Sequence, residues 1–201
     1  MNENHAKLCP SPEWAAYLHN DVLPALADGI ELGPRMLEIG PGPGASAEWL
    51  RHRVEQLVAI ELEADTVATL RKRFADTNVE VLQGDATDMP FEEGAFDSVG
   101  CFTMLHHVPT PALQNKVFAE ALRVLRPGGT MIASDSLPST DLHDFHIDDV
   151  YNPIDPASLL TRLQAVGFGA ITISVDYAFT FRARKPDAKT TTGITSPESG
   201  G

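Results

Sequence analysis

The stretch Glu38-Ile39-Gly40-Pro41-Gly42-Pro43-Gly44 constrains this chain more than any other. It follows the short apolar run Met36–Ile39, which reads as a strand, and it leads into a helical stretch beginning near Gly44. Alternating glycines let a backbone turn sharply and approach a ligand with no Cβ in the way. A strand that enters such a turn and leaves it as a helix is the start of a parallel β-α-β unit.

The rest of the chain repeats that rhythm. Leu57–Ile60 reads as a second strand, followed by a helix with Val67, Leu70 and Phe74 on its apolar side. Val79–Leu82 is a third strand and Phe96–Leu105 a longer buried fourth. The segment Pro111–Leu125 places Leu113, Val117, Ala121, Leu122 and Leu125 on one helical face. Pro127-Gly128-Gly129 is expected to stop that helix before a fifth strand, Thr130–Ser134. Asp155-Pro156 opens a further helix carrying Leu159, Leu160, Leu163 and Val166, with Gly167 as its stop. Alternation of Ile171, Ile173, Val175 and Tyr177, then of Phe179 and Phe181, predicts two closing strands joined tightly. At the front, Ser11-Pro12 caps a helix with Trp14, Tyr17, Leu18 and Val22 on one side. The pattern predicts an α/β domain over residues 1–184, with a mostly parallel sheet and helices on both faces. Residues 185–201, rich in Thr, Ser, Pro and Gly, are expected to be disordered.

Charge narrows the function. The 201 residues carry 15 Lys plus Arg against 28 Asp plus Glu, a formal charge of −13. So acidic a surface repels phosphate backbones, and the basic run Arg71-Lys72-Arg73 reads as a solvated helix face, so no nucleic-acid partner is expected. No apolar run approaches the ~18 residues of a membrane span, and no leader pattern precedes the first helix, so no membrane partner is expected either. Cys9 and Cys101 read as two reduced, separate thiols, which fits a cytoplasmic setting.

The glycine turn alone is ambiguous, because Gly40-x-Gly42-x-x-Ala45 also meets the relaxed dinucleotide fingerprint of a nicotinamide-dependent oxidoreductase. Glu38 at its mouth would repel a pyrophosphate, and Pro41 and Pro43 remove two N–H donors that a phosphate needs. A cationic ligand such as S-adenosylmethionine, with its ammonium and sulfonium, suits the carboxylate. Glu61 at the end of the second strand is placed to accept both ribose hydroxyls, with Glu63 as a neighbour, and this feature serves either cofactor. Gly84-Asp85-Ala86 after the third strand offers a carboxylate for an adenine amino group.

The stretches MLEIGPGPG (36–44), AIELE (59–63), QGDATDMPF (83–91), FDSVGCFTMLHHV (96–108) and LRVLRPGGTMIASD (122–135) resemble those of class I, Rossmann-like methyltransferases, in order and spacing, over about half the chain. The resemblance is to the small-molecule branch that includes ubiquinone/menaquinone-type enzymes. It implies a seven-stranded sheet of order 3-2-1-4-5-7-6 with an antiparallel seventh strand, an N-terminal helical lid within residues 1–33, and S-adenosyl-L-methionine converted to S-adenosyl-L-homocysteine. It places Glu38, Gly40, Gly42 and Gly44 against the methionine and sulfonium, Glu61 against the ribose, and Asp85 and Ala86 against the adenine. It also gives His106 and His107 structural or cofactor-edge roles.

The acceptor is less legible. A loop after the fifth strand gathers Asp141, His143, Asp144, His146, Asp148 and Asp149, followed by Tyr151 and Asn152. A hydroxyl acceptor needs a base, and histidine's pKa suits that role. His146, flanked by Asp144 and Asp148, is preferred as general base, with His143 next. Asp141, His143, Asp144 and His146 form an alternative divalent-metal set, and a solvated acidic loop is a third reading. Trp14, His106, His107, Asp135, Asp144 and Tyr151 are candidate acceptor contacts. The expected function is O-methylation of a hydroxyl on a small polar molecule, with a saccharide in view; carboxyl- or C-methylation is the alternative. A homodimer covering the site is also in view.

Overall fold

The computed structural model describes Leu8 and residues 10–188. The N-terminal helix α1 (Pro12–Tyr17) starts where the Ser11 hydroxyl accepts the Trp14 N–H; it continues through a π-type turn, Leu18–Val22, into α2 (Leu23–Ala27). There follow β1 (Arg35–Ile39), α3 (Ala45–Leu50), β2 (Gln56–Glu61), α4 (Ala64–Arg73), β3 (Val79–Gln83) and β4 (Phe96–Phe102). A 3₁₀ turn, Leu105–His107, precedes α5 (Pro111–Val124), β5 (Leu125–Ser136), α6 (Thr140–Phe145), α7 (Pro156–Val166), β6 (Gly169–Val175) and β7 (Ala178–Arg184). The strands form one sheet of order β3-β2-β1-β4-β5-β7-β6, parallel except for β7, which runs antiparallel to both β5 and β6.

Alternation along β1 sorts the core into two layers. Leu37 and Ile39 join Val99, Cys101, Val117, Phe118, Leu159 and Leu163 on one face. Met36 joins Leu57, Leu50, Val67, Leu70, Phe74 and the N-terminal Leu18, Leu23 and Leu26 on the other. Cys101 is buried and unpaired, while Cys9 lies outside the described residues. No helix among the described residues is long and apolar enough to cross a membrane.

Four expectations need correction. The fourth strand stops at Phe102, because Thr103 takes a φ of 50° and turns the chain into the 3₁₀ segment. Pro127-Gly128-Gly129 lies inside β5, which runs from Leu125 to Ser136. The register between β4 and β5 shifts between Phe96 and Ser98, and such an irregularity tolerates a proline and glycines that a regular ladder would not. Tyr17 is 41% exposed and Leu160 44% exposed, so neither belongs to the core face assigned to it. Tyr177, 93% exposed, occupies the tight turn between β6 and β7 rather than a strand. Of the tail, residues 189–201 lie outside the described residues. Lys185 is anchored, its backbone exchanging hydrogen bonds with Gly128 and Gly129 and its ammonium reaching the Leu125 carbonyl at 2.8 Å.

Gly44 holds the start of α3 with a φ of 85°, and a Cβ there would stand 2.8 Å from Leu70 and 2.9 Å from Phe74. Left-handed backbone costs a non-glycine residue roughly 1–2 kcal/mol, and forcing carbon into packed apolar surface costs ~1–3 more. Gly44→Ala is therefore expected to lower the unfolding free energy by about 2–4 kcal/mol in urea titration. A midpoint equal to wild type would show that α4 gives way without cost.

Candidate active site

The strand order reverses direction between β1 and β4, and ligands of open α/β sheets bind in the crevice outside the carboxyl ends at such a point. A cavity of about 540 Å³ occupies that place, within the usual range for small-molecule sites. Its floor is the loop after β1, with Gly40, Pro41, Gly42 and Pro43, continued by Ala45 and Ser46 of α3. Gly40 has a φ of 64° and lies so close to Met104 that a Cβ would come within 2.3 Å of its Cγ. The two loops that flank the switch point are thus pressed together by the absence of one side chain.

One wall carries carboxylates. Glu61 is clamped at the end of β2: its Oε1 accepts from the N–H groups of Leu62 and Glu63, at 2.8 and 3.1 Å, and its Oε2 from that of Gly42 at 3.3 Å. Asp85 lines the same side with Ala86, and its Oδ1 accepts the Thr87 N–H at 2.8 Å. Among the described residues, the ionisable lining groups are Glu61, Glu63, Asp85, His107 and Asp149, with no lysine or arginine. Such a wall suits a ligand with cationic groups and hydroxyls and opposes a pyrophosphate.

Glu38 stands one layer below, 1% exposed, and touches the cavity through Ser46, whose hydroxyl donates to its Oε1. The other oxygen, Oε2, is buried with no hydrogen-bond partner. Burial raises this carboxyl to about 7; the Ser46 bond opposes the rise and the nearby Glu61 charge adds to it. An orphaned buried carboxylate beside a glycine loop is what a bound ammonium or sulfonium would relieve, so the residues fit S-adenosylmethionine. Gly42 also lines the cavity, and a Cβ on it would meet nothing within 4 Å. Gly44 is different: it is buried under Leu70 and Phe74 rather than in the wall.

The opposite end is apolar. Trp14 and Leu18 reach it from the N-terminal helix, which His19 fastens to α3 through its Nε2 and the Ala45 carbonyl at 2.7 Å. Met104, Val108, Leu113, Val117 and Val150 complete it, with His107 between them.

Behind His107 lies a histidine cluster. His106 is buried, its Nδ1 2.5 Å from Asp135, whose other oxygen accepts the His106 N–H at 3.1 Å. His146 is buried too; its ring stacks on Tyr151 at 4.4 Å and sits edge-on to His106 at 4.9 Å. The flanking Asp144 and Asp148 do not orient it: its Nδ1 faces the Leu142 carbonyl, and burial lowers its pKa rather than raising it. His143 lies at the outer edge, its ring edge-on to Tyr151 at 6.3 Å and its side chain 74% exposed beside an Asp144 that is 67% exposed, and Asp141 is exposed on the same helix. The set Asp141, His143, Asp144 and His146 is therefore not gathered at one point; only His146 joins a cluster, with His106 and His107. Two residues hold this arrangement: Gln114, which the sequence did not single out, and Asn152, which it offered only as part of the polar loop. The Gln114 side chain donates to the carbonyls of Leu105 and Asn152, and Asn152 donates through its N–H to His106 and through its amide to Val108. No local pattern marks them, since each acts across a large sequence gap.

Residues 37–133 match the protein family described as methyltransferase domain. That match and the strand order above support a class I, S-adenosylmethionine-dependent methyltransferase domain. Over 116 residues it is 34% identical to the fatty-acid O-methyltransferase of Mycolicibacterium smegmatis, covering 56% of this chain and 41% of that one. It is 36% identical over 101 residues to the demethylmenaquinone methyltransferase of Clavibacter sepedonicus, covering 50% and 40%. The chain thus matches less than half the length of these two curated relatives. The PH0226 protein of Pyrococcus horikoshii OT3 shares the fold of the methyltransferase domain, with a TM-score of 0.75 at 19% identity over 92% of this chain and 99% of that one.

The Glu38 carboxyl gives a pH signature. Between pH 4.5 and about 7 the folded state holds a proton that the unfolded state has lost, so stability falls as pH rises through that window and is level above it. The span corresponds to on the order of 3 kcal/mol. In urea unfolding without cofactor, Glu38→Gln is expected to gain on wild type by about that amount between pH 4.5 and pH 8. A difference between the two proteins that does not vary with pH would show that Glu38 is ionised in the empty fold.

Proposed function

We propose that this chain methylates an oxygen on a small molecule with a largely apolar body. The observation that carries the reading is a single cavity whose carboxylate wall, Glu61 and Asp85, runs on into the apolar end at Trp14, Leu18, Val108, Leu113 and Val150, with one imidazole, His107, among them. S-adenosylmethionine, when bound, supplies an electrophilic methyl group on sulfur. Glu61 holds the ribose hydroxyls, Asp85 with Ala86 the adenine, and Glu38 through its orphaned oxygen the cationic end. The glycines of the β1 loop admit the ligand, and the apolar end excludes water and aligns the acceptor, which is most of what an in-line displacement requires.

The His107 ring donates Nδ1–H to the Val150 carbonyl at 3.2 Å, which leaves the lone pair on Nε2. We assign it the acceptor's hydroxyl proton. His106, held by Asp135, supports it from behind with ring centroids 4.2 Å apart. His146, one ring further in, is a positioning residue, and His143 takes no part. The polyol acceptor loses its footing, because Asp141 and Asp144 are exposed on α6 and Asp149 is the one carboxylate of that loop among the lining residues. Relatives named for fatty-acid and menaquinone-precursor methylation support an apolar body. A carboxylate acceptor, as the first of those names suggests, arrives already ionised and needs no base.

The test is methyl uptake from labelled S-adenosylmethionine across panels of long-chain acids, phenols and saccharides. Uptake is expected with an apolar hydroxyl compound, and His107→Gln is expected to lower turnover by ~10²–10⁴ with cofactor affinity unchanged. Unchanged turnover on a fatty acid would select carboxyl methylation instead, and uptake by saccharides alone would overturn the apolar assignment. In calorimetry Glu61→Ala is expected to weaken S-adenosylmethionine by about 1.5–3 kcal/mol through loss of charge-assisted hydrogen bonds. Unchanged affinity would remove Glu61 from the site.

A further inference from the structure

The rings of His106, His107 and His146 converge, one nitrogen of each lying within 4.8 Å of one nitrogen of the others. Every Nδ1 of the three faces an oxygen acceptor: His106 faces Asp135 Oδ1 at 2.5 Å, His107 the Val150 carbonyl at 3.2 Å, and His146 the Leu142 carbonyl. A carbonyl oxygen can only accept, so the His107 and His146 rings carry their proton on Nδ1, and Asp135 imposes the same tautomer on His106. In each ring that tautomer puts the lone pair on Nε2.

Lone-pair nitrogens held by oxygen acceptors on their far side are the arrangement in which histidines ligate metal, the outer hydrogen bonds fixing the tautomer and raising basicity. A packed core does not need it. From this geometry we propose that His106, His107 and His146 bind a divalent ion of the zinc class. The fourth position would open toward the cavity, since His107 lines it and the other two rings are buried behind. Three imidazoles with one open position is a coordination set that suits zinc, cobalt or nickel and discriminates against magnesium and calcium, which take oxygen ligands. Ligand nitrogens about 2.0–2.1 Å from a tetrahedral ion lie roughly 3.4 Å apart. The required contraction falls to His107, the half-buried ring on the turn between Thr103 and Val108, while Asp135 and Leu142 fix the other two.

The site is distinct from the divalent set that the sequence suggested, with which it shares only His146. With the ion bound, His107 has no lone pair left for a proton, so the base role assigned above belongs to the metal-free protein and the two readings are alternatives. Binding of the ion is independent of any acceptor, so it is tested without one.

The experiment titrates Co²⁺ into the full chain, carrying no added histidines, and follows visible absorbance, with Zn²⁺ as competitor. The expected result is one equivalent of Co²⁺ with the intense bands of tetrahedral coordination, displaced by Zn²⁺ and unaffected by excess Mg²⁺. His107→Gln, at the cavity wall, is expected to weaken binding at least ~30-fold. Asp135→Asn, which keeps all three ligands, is expected to weaken it ~10–100-fold. Circular dichroism checks that both variants are folded. Absence of tetrahedral bands in the wild-type protein at ~100 μM Co²⁺ would overturn the site and leave the base reading of His107 intact. Bands that persist unchanged in folded His107→Gln would place the ion elsewhere and overturn it equally.

Discussion

The carboxyl end of β1 is where every demand on this molecule meets. β1 is flanked by parallel partners, β2 and β4, and buried on both faces, so its exit has to clear the loop after β4 in very little room. The chain solves this twice, with glycine at position 40 against Met104 and with a left-handed Thr103 that swings the β4 exit aside. A bulkier floor would separate the two loops and open the crevice. A straight β4 would carry Met104 and the 3₁₀ histidines out of reach of the cavity. The site is thus a consequence of sheet order and of one pair of tight backbone turns, and the polar chemistry is added to that frame.

Electrostatics then divide the cavity. Glu38 sits on the same sheet face as Met36, beneath α3, where its neighbours offer one hydroxyl and no cation. With Glu61 and Asp85 nearby, the empty site concentrates negative charge in a poorly solvated place, and the fold tolerates it by keeping one carboxyl protonated near neutrality. Such a frustrated group weakens the empty protein and strengthens the bound one, since a cation entering the site relieves it.

Much of this was legible in the sequence because the governing rules are local. Strand periodicity, the glycine turn, Asp155 as the cap of α7 and Gly167 as its left-handed end are all short-range patterns, and the seven-stranded order came with the family motifs. The misreadings share a cause as well. Pro127-Gly128-Gly129 looks like punctuation, yet the pairings Phe96–Leu125 and Ser98–Thr130 that bracket it, with Lys185 bonded to Gly128 and Gly129, carry it inside a strand. Tyr17 and Leu160 satisfy helical spacing, and only the neighbouring elements decide that those flanks stay in water. His106 and Asp135 are 29 residues apart, so no spacing rule could pair them, whereas the carboxylates adjacent to His146 in sequence turn outward around α6.

The same division explains why the cofactor end and the acceptor end differ in legibility. Glu61, Asp85 and the glycine loop fall within residues 37–133, the stretch that matches the family, and chemistry common to a family leaves common residues. Trp14 and Leu18 come from before that stretch and Asp149 and Val150 from after it, yet all four line the same cavity. On the function proposed above, acceptor choice falls to two segments outside the matched core, pinned onto it by His19 on Ala45 at one side and by Asn152 on His106 at the other. Those pins are single hydrogen bonds to backbone carbonyls, which any sequence supplies. The wall they hold can be rebuilt residue by residue while the cofactor floor stays fixed. On that reading, specificity lies in the residues that general motifs leave unread.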